Sequence, residues 1–166
     1  MTRITLISKP KETFDETKPY SSAELTQEMA DLINLRLKRV KEDIINKRCI
    51  ATIFSAVPTS GNSKNNKSLF KEEITKALDL QDDFSFLEAS SNKELEVEVI
   101  FFLAQDYVSR DVDNLLKTLL DSLKGLWYKD DGQIKKIIAE KYLAKDIKPE
   151  VNPKIYEQIY CCLRII

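Results

Sequence analysis

The chain contains no histidine in its 166 residues. Histidine is the usual general base of serine and cysteine hydrolases and a frequent ligand of catalytic metals. Its absence therefore excludes Ser-His-Asp and Cys-His catalysis, as well as nucleases that bind their metal through imidazole. Any chemistry that the chain performs must use carboxylates, lysines and a metal ion.

Cysteines are few, and their spacing fits neither a disulfide framework nor a zinc site. Cys49 stands alone, and Cys161 and Cys162 are adjacent within an apolar run. We therefore predict that all three are small buried apolar residues.

Long apolar runs are also absent. No stretch approaches 18 uninterrupted apolar residues, and no apolar segment follows the charges near the N-terminus. This pattern indicates neither secretion nor a membrane span, and we expect a cytoplasmic protein.

The composition, 43% hydrophobic and 32% charged, is that of a soluble globular protein, and the length suits one core. The net charge of −1 does not decide whether the chain binds nucleic acid, because binding depends on a local basic face.

Hydrophobic periodicity predicts a mixture of helices and strands. The first half of the chain is predicted to contain a short strand at 4–7, a long amphipathic helix at about 22–46, a strand at 49–57 and a loop at 58–68 that carries Lys64 and Lys67. A helix follows from about 68, and then a central strand with one solvated face at 93–104. The remaining elements are a helix after 110, a strand or helix at 133–143 and a final strand at 155–166. This order predicts an α+β fold of two layers, a mixed sheet with helices mainly on one face, plus an extra N-terminal helix.

Carboxylates are concentrated in residues 110–134, RDVDNLLKTLLDSLKGLWYKDDGQI. Asp111 and Asp113 lie two apart where an extended segment enters a helix, so both can reach one cation. Lys117 follows one turn later, and the turn at 129–132 returns a third acid. Oxygen ligands without histidine or thiolate select Mg²⁺ or Mn²⁺.

Each of these features also has a purely structural explanation. An Asp at the start of a helix commonly caps it, and Asp-Gly commonly forms a turn. Lys117 can form a surface ion pair with Asp113 or Asp121, and Asp121 can be a solvated helix residue.

Taken together, the segment resembles the signature of the RusA-like Holliday-junction resolvases. In that signature Asp-x-Asp-Asn precedes a helix with a Lys four residues on, followed by an Asp and an Asp-Asp-x-Gln-Ile turn. The matching residues are Asp111, Asp113, Asn114, Lys117, Asp121, Asp130, Asp131, Gln133 and Ile134. Residues 51–66 are similar more loosely, and residues 1 to about 47 lie outside the resemblance. We therefore predict an N-terminal extension at 1–47 and a RusA-like nuclease domain at 48–166.

The resemblance implies a Mg²⁺-dependent, structure-selective endonuclease that cuts Holliday junctions or other branched DNA as a symmetric homodimer. It also implies that Asp111, Asp113 and Asp131 are metal-binding catalytic acids and that Lys117 is the catalytic lysine. Asn114 is predicted to hold a ligand carboxylate. Asp130 is predicted to shape the turn or to support the ligands from behind.

Resolvases of this family are expected to be basic, whereas the sequence pI is about 5.7. Residues 110–148 nevertheless carry nine Lys and Arg against seven Asp and Glu. A DNA-backbone-binding face is predicted from six lysines, namely Lys64, Lys67, Lys135, Lys136, Lys141 and Lys145; solvated strand and loop positions are the alternative.

The alternative function is a non-catalytic protein of the same fold that binds branched DNA or supports an assembly. An unrelated ribonuclease-H-like nuclease fits less well, because its acids normally come from strands widely separated in sequence.

Overall fold

The computed structural model describes residues 27–54, 64–77, 80–103, 111–143 and 158–166. Within these ranges the elements are α1 (Gln27–Ile45), β1 (Cys49–Phe54), α2 (Lys64–Ala77), α3 (Leu80–Ala89), β2 (Leu95–Leu103), α4 (Val112–Leu123), a short 3₁₀ helix (Asp131–Gln133), β3 (Ile134–Leu143) and β4 (Gln158–Ile165).

The strands form one mixed sheet in the order β1-β4-β2-β3. Strand β4 runs antiparallel to both of its neighbours, whereas β2 and β3 are parallel. Strand β2 is central, as predicted, and every one of its residues is buried. The mixed sheet with its helices confirms the predicted α+β class.

Three helices cover one face of the sheet. Helices α2, α3 and α4 contribute Phe70, Ile74, Phe86, Leu115, Leu119 and Leu123 to a core that includes Val97, Val99 and Phe101 of β2. Trp127, which follows α4, is fully buried in the same core beside Phe54 of β1. Because the apolar side of α4 is held against the sheet, its opposite side faces solvent.

Helix α1 covers the other face. Its buried residues recur at helical spacing, at Met29, Ile33, Leu37, Val40 and Ile44, and pack against Ile100, Phe102, Tyr160 and Cys162. Helix α1 thus lies on the opposite face of the sheet from the other described helices, which pack on one face as predicted.

All three cysteines are buried and free, which confirms their prediction as core residues. The Sγ atoms of Cys49 and Cys162 lie 2.9 Å apart between neighbouring strands β1 and β4. The hydrogen bond between these two thiols, together with burial, raises the pKa of the Cys49 thiol.

The prediction of a solvated face on the central strand was wrong. Glu96 and Glu98 are each only 6% exposed, because α1 and its neighbours cover that face. Arg39 of α1 bonds Glu98 at 2.7 Å. Arg164 of β4 and Lys136 of β3 each bond Glu96 at 2.8 Å. The alternation of charged residues therefore marks a buried ionic layer.

Part of the predicted loop at 58–68 is helical. Helix α2 begins at Lys64, so Lys64 and Lys67 lie on a helix, where the burial of Phe70 and Ile74 outweighs the turn-forming composition of the segment. Helix α3 was not predicted at all. Residues 133–143, for which the sequence allows either a strand or a helix, form strand β3 from Ile134 onward.

The predicted strand at 4–7 and the predicted DNA contact Lys145 lie outside the described residues. Among the helices that are described, none combines the length and the apolar character needed to cross a membrane.

Candidate active site

Asp111 occupies the N-cap position of α4 with extended backbone, φ −64° and ψ 150°. Its carbonyl oxygen accepts the first helical bond, from the nitrogen of Leu115 at 3.0 Å. Its side chain, however, makes no capping hydrogen bond. The carboxylate is exposed, so the structural explanation of Asp111 as a side-chain cap does not describe it.

Asp113, Asn114 and Lys117 lie exposed on the first two turns of the same helix. Among the described residues, Lys117 forms no ion pair with Asp113 or Asp121, the partners that its purely structural explanation required. The beginning of α4 therefore presents two unpaired carboxylates and one unpaired ammonium group within that part of the chain.

The end of α4 is defined by Lys124 and Gly125. The nitrogen of Lys124 donates to the oxygen of Leu120 at 3.0 Å. Gly125 follows with φ 84°, a left-handed conformation that favours glycine. Gly125 thus ends the helix and turns the chain back along the helix end.

Asp130 shapes the turn that follows. Its Oδ1 accepts from the nitrogen of Gly132 at 2.7 Å. Gln133 completes a capping box by accepting, through its Oε1, from the nitrogens of Asp130 at 3.0 Å and Lys129 at 2.9 Å. A Cβ on residue 132 would lie 2.9 Å from that Asp130 oxygen, which explains the glycine. One of the two predicted roles of Asp130 is thus confirmed.

Asp131 is held by two side chains from the end of α4 and the loop after it. Lys124 Nζ donates to Oδ2 at 2.9 Å, and the hydroxyl of Tyr128 lies 3.0 Å from Oδ1. The bond from Lys124, followed by that from Tyr128, lowers the pKa of Asp131. Burial, followed by the bond to Asp131, raises the pKa of Tyr128. The carboxylate is therefore charged at neutral pH while both donors stay protonated.

Sequence reasoning missed Lys124 and Tyr128. Their spacing to Asp131, seven and three residues, carries no meaning until Gly125 reverses the chain. The only usable signal was the apolar triplet Leu126, Trp127 and Tyr128 directly before the acidic turn, which indicates a buried ring next to a carboxylate.

The three predicted metal ligands do not meet within one chain. Asp113 precedes Leu120 by seven residues, roughly 10 Å along a helix axis, and Asp131 is linked to the Leu120 end through Tyr128. Because β2 and β3 are parallel, α4 has to return from one end of the sheet to the other. In the described part of the chain, no three His, Cys, Asp or Glu side chains gather to hold a metal ion.

A family model for the endodeoxyribonuclease RusA matches residues 6–156. The chain belongs to the RusA endodeoxyribonuclease family. This confirms the resemblance seen in the acidic segment, and it makes the chain a nuclease relative of the Holliday-junction resolvases. No curated protein sequence gives a significant match.

The RusA match begins at residue 6 and therefore includes α1, which the sequence interpretation left outside the resemblance. The division into an extension at 1–47 and a nuclease domain at 48–166 stays a prediction.

The lysines predicted to bind DNA do not form one uniform group. Lys135 and Lys136 are exposed on β3, and Lys141 is half-buried on the same strand. Lys136 is already bonded to the buried Glu96, so it also has a structural role in this RusA-family chain.

Proposed function

We propose that the protein is a Mg²⁺-dependent endonuclease, active also with Mn²⁺, that hydrolyses phosphodiester bonds in four-way DNA junctions as a symmetric homodimer. The observation that carries the proposal is that Asp111, Asp113 and Lys117, at the exposed start of α4, have no ion-pair partner in the part of the chain that the structure describes. Family membership supplies the reaction class, endonucleolytic cleavage of junction DNA.

The residues at the start of α4 fit a hard divalent cation. Asp111 and Asp113 lie two residues apart, and their charges repel each other unless a cation neutralises them. Carboxylate oxygens without nearby imidazole or thiolate groups suit Mg²⁺ and Mn²⁺. When bound, such an ion lowers the pKa of the attacking water and offsets charge on the scissile phosphate.

The homodimer is supported by the separation of the acids. Ligands of one Mg²⁺ lie about 2 Å from it, whereas Asp113 and the Leu120 end that carries Asp131 are roughly 10 Å apart along α4. A site that uses all three acids therefore requires two chains. In the proposed two-fold dimer, Asp111 and Asp113 of one protomer face Asp131 of the other. The symmetry axis produces two equivalent sites of this kind. Two such sites suit a four-way junction, because its strands are cut in symmetric pairs.

In this proposal Lys117 interacts with the scissile phosphate and contributes little to the stability of the fold. Its ammonium group is one turn from Asp113 and has no ion-pair partner among the described residues. It stabilises negative charge on a phosphate oxygen or on the departing oxygen. Asn114, exposed beside Asp113, orients that carboxylate. Lys135, Lys141 and the other predicted lysines contact the DNA backbone.

The test is cleavage of an end-labelled synthetic four-way junction by the full chain with Mg²⁺, Mn²⁺ or EDTA, with a linear duplex of the same sequence as control. We expect paired nicks in the junction with either metal, none with EDTA and little cutting of the duplex. A folded dimer that binds the junction but never nicks it would support the alternative, a non-catalytic junction-binding protein.

A further inference from the structure

Asp131 differs from the other two predicted ligands because both of its oxygens are already engaged. Lys124 Nζ lies 2.9 Å from Oδ2, and the Tyr128 hydroxyl lies 3.0 Å from Oδ1. Nevertheless the Asp131 side chain is 60% exposed. The carboxylate is thus held in one orientation and remains open to a ligand arriving from solvent.

The Tyr128 side of this contact is rigid. Tyr128 is fully buried in the core that lies between the sheet and α4. Its hydroxyl, which has a single hydrogen, is within bonding distance of both Asp131 and the carbonyl oxygen of Leu120, at 2.8 Å. The position of the phenol oxygen is therefore set by the packing of the core and by the last turn of α4.

The backbone that carries Asp131 is rigid as well. Gln133 uses its Oε1 to accept from the turn and its Nε2 to donate to the carbonyl oxygens of Ser90 at 2.8 Å and Lys93 at 3.1 Å. These bonds tie the 3₁₀ helix to the segment that precedes β2. With backbone and phenol both fixed, the Asp131 carboxylate has little freedom to rotate.

The Lys124 side is different in kind. Its side chain is 40% exposed and reaches Asp131 by a flexible four-carbon stem. It is also a cation, so it neutralises the carboxylate, whereas Tyr128 orients the carboxylate and leaves its charge intact. A metal ion that binds Asp131 has to compete with the ammonium group of Lys124, but it does not compete with the phenol.

We infer that Tyr128 is a positioning residue for Asp131 and that Lys124 is an internal cation that competes with the metal ion for the same carboxylate. The inference rests on the proposed function, because it takes Asp131 as a metal ligand. It follows that removing the two donors should change metal affinity in opposite directions. A purely structural contribution of both residues would weaken binding in both cases.

The experiment measures Mn²⁺ binding to the full DNA-free chain by electron paramagnetic resonance of the free ion. We expect Tyr128→Phe to weaken binding about tenfold or more, the usual effect of losing a residue that orients a metal ligand. Lys124→Met should tighten binding several-fold, and Lys124→Arg, which keeps the charge, should stay near wild type. The half-saturating Mg²⁺ concentration for junction cleavage should shift in the same directions.

Two matched controls make the same chemical changes elsewhere. Tyr142→Phe removes a phenol that donates to a different carboxylate, Glu140, at 2.6 Å. Lys76→Met removes an exposed lysine that pairs with Glu72 at 3.3 Å. Neither change should affect Mn²⁺ affinity. Circular dichroism and thermal melting establish that every variant is folded. If Tyr128→Phe is unstable, the comparison of Lys124→Met with Lys124→Arg still tests the inference.

The inference is overturned if wild type binds no Mn²⁺, if Asp131→Asn leaves the affinity unchanged, or if the Lys124→Met variant binds no more tightly than wild type. If the Tyr128 and Lys124 variants show the predicted shifts in Mn²⁺ affinity but the wild-type chain never cuts a junction, the inference is supported and the proposed function is refuted. If the wild-type chain cuts junctions but its Tyr128 and Lys124 variants bind Mn²⁺ as tightly as wild type does, the proposed function is supported and the inference is refuted.

Discussion

Asp111 has the backbone position of a helix cap without the hydrogen bond that makes a cap stabilising. Asn and Asp are equally good at this position, so Asp111→Asn should leave the melting temperature nearly unchanged. Loss of a charged metal ligand should reduce junction cleavage by about 10²-fold or more. Junction binding, measured by gel shift, should persist or tighten because repulsion between the carboxylate and phosphate decreases.

The control for this change is Glu88→Gln, which neutralises an exposed acid on α3 and should cut junctions as wild type does. Wild-type turnover by Asp111→Asn would show that the carboxylate takes no part in the reaction.

Substitution of Lys117 distinguishes a catalytic cation from a charge that lies only on the surface. Because it makes no ion pair among the described residues, Lys117→Ala should change the free energy of unfolding by well under about 1 kcal/mol. If the ammonium group meets charge on the phosphate, single-turnover cleavage should slow by about 10²-fold or more, a barrier increase of about 3 kcal/mol. Lys117→Arg should recover little activity, because a planar guanidinium does not replace a compact ammonium near a crowded metal site. Near wild-type rates for Lys117→Ala would remove the residue from the mechanism.

At the scale of elements, α1 stabilises the sheet by closing its second face. Ile33 is fully buried against β2 and β4, whereas Leu35 on the same helix is 57% exposed. Ile33→Ala should lower the free energy of unfolding by about 2–5 kcal/mol, and Leu35→Ala by well under about 1 kcal/mol.

Deleting residues 1–46 should expose Ile100, Phe102 and Tyr160 and reduce solubility and melting temperature. Equal stability of the truncated chain would contradict this account of α1.

The buried ionic layer beneath α1 makes stability depend on pH. Burial alone would raise the pKa of Glu96, but the hydrogen bond from Lys136 and the positive charge of Arg164 outweigh it, and the pKa is lowered. A carboxyl whose pKa is lower in the folded state stabilises the fold above its unfolded pKa, near 4.5, and this stabilisation is lost as the pH falls through the folded value. Glu96→Gln should therefore lower the melting temperature at pH 7 and flatten its decline below pH 4.5. Glu94→Gln, an exposed neighbour, should change neither.

The elements that the sequence predicted well are those whose local pattern and tertiary packing agree. The helix after residue 110 and the turn at 129–132 both lie where they were predicted. The alternation in β2 was misread because it separates charged from apolar side chains without revealing which cations cover the charged ones. Glu98 is bonded by Arg39 of α1, and Glu96 by Lys136 of β3 and Arg164 of β4. The composition of residues 58–68 likewise could not reveal that Phe70 would anchor a helix begun at Lys64.

The candidate site divides in the same way. Asp111, Asp113, Lys117 and Asp131 were found from their spacing in a family signature. Tyr128 and Lys124 were missed because their contact with Asp131 exists only after the chain folds back over the end of α4. Sequence spacing also suggested that the turn returns the third acid to the first two, whereas the parallel arrangement of β2 and β3 places it at the other end of the helix.

At the scale of the whole molecule, the separation of the three acids bears on the proposed homodimer. A parallel β-α-β unit always puts the residues that begin its helix and those that begin its second strand at opposite ends of the sheet. No rotation of side chains on α4 removes a distance of roughly 10 Å along the helix. If all three acids serve one metal ion, each site must be completed by a second copy of the chain.

Mixing inactive variants tests this directly. Homodimers of Asp111→Asn and of Asp131→Asn should each be inactive, because every shared site contains the substitution. After subunit exchange, a mixed dimer has one site with both substitutions and one with neither, so junction nicking should return to about a quarter of the wild-type site number after random exchange between two equal pools. The nicks should fall on single strands, without the paired cuts of the wild type. A mixture of Asp111→Asn with Asp113→Asn is the control, since each site of that mixed dimer keeps one defect and no activity should return. If the first mixture also stayed inactive after exchange verified by mass spectrometry, the three acids would not be shared between chains.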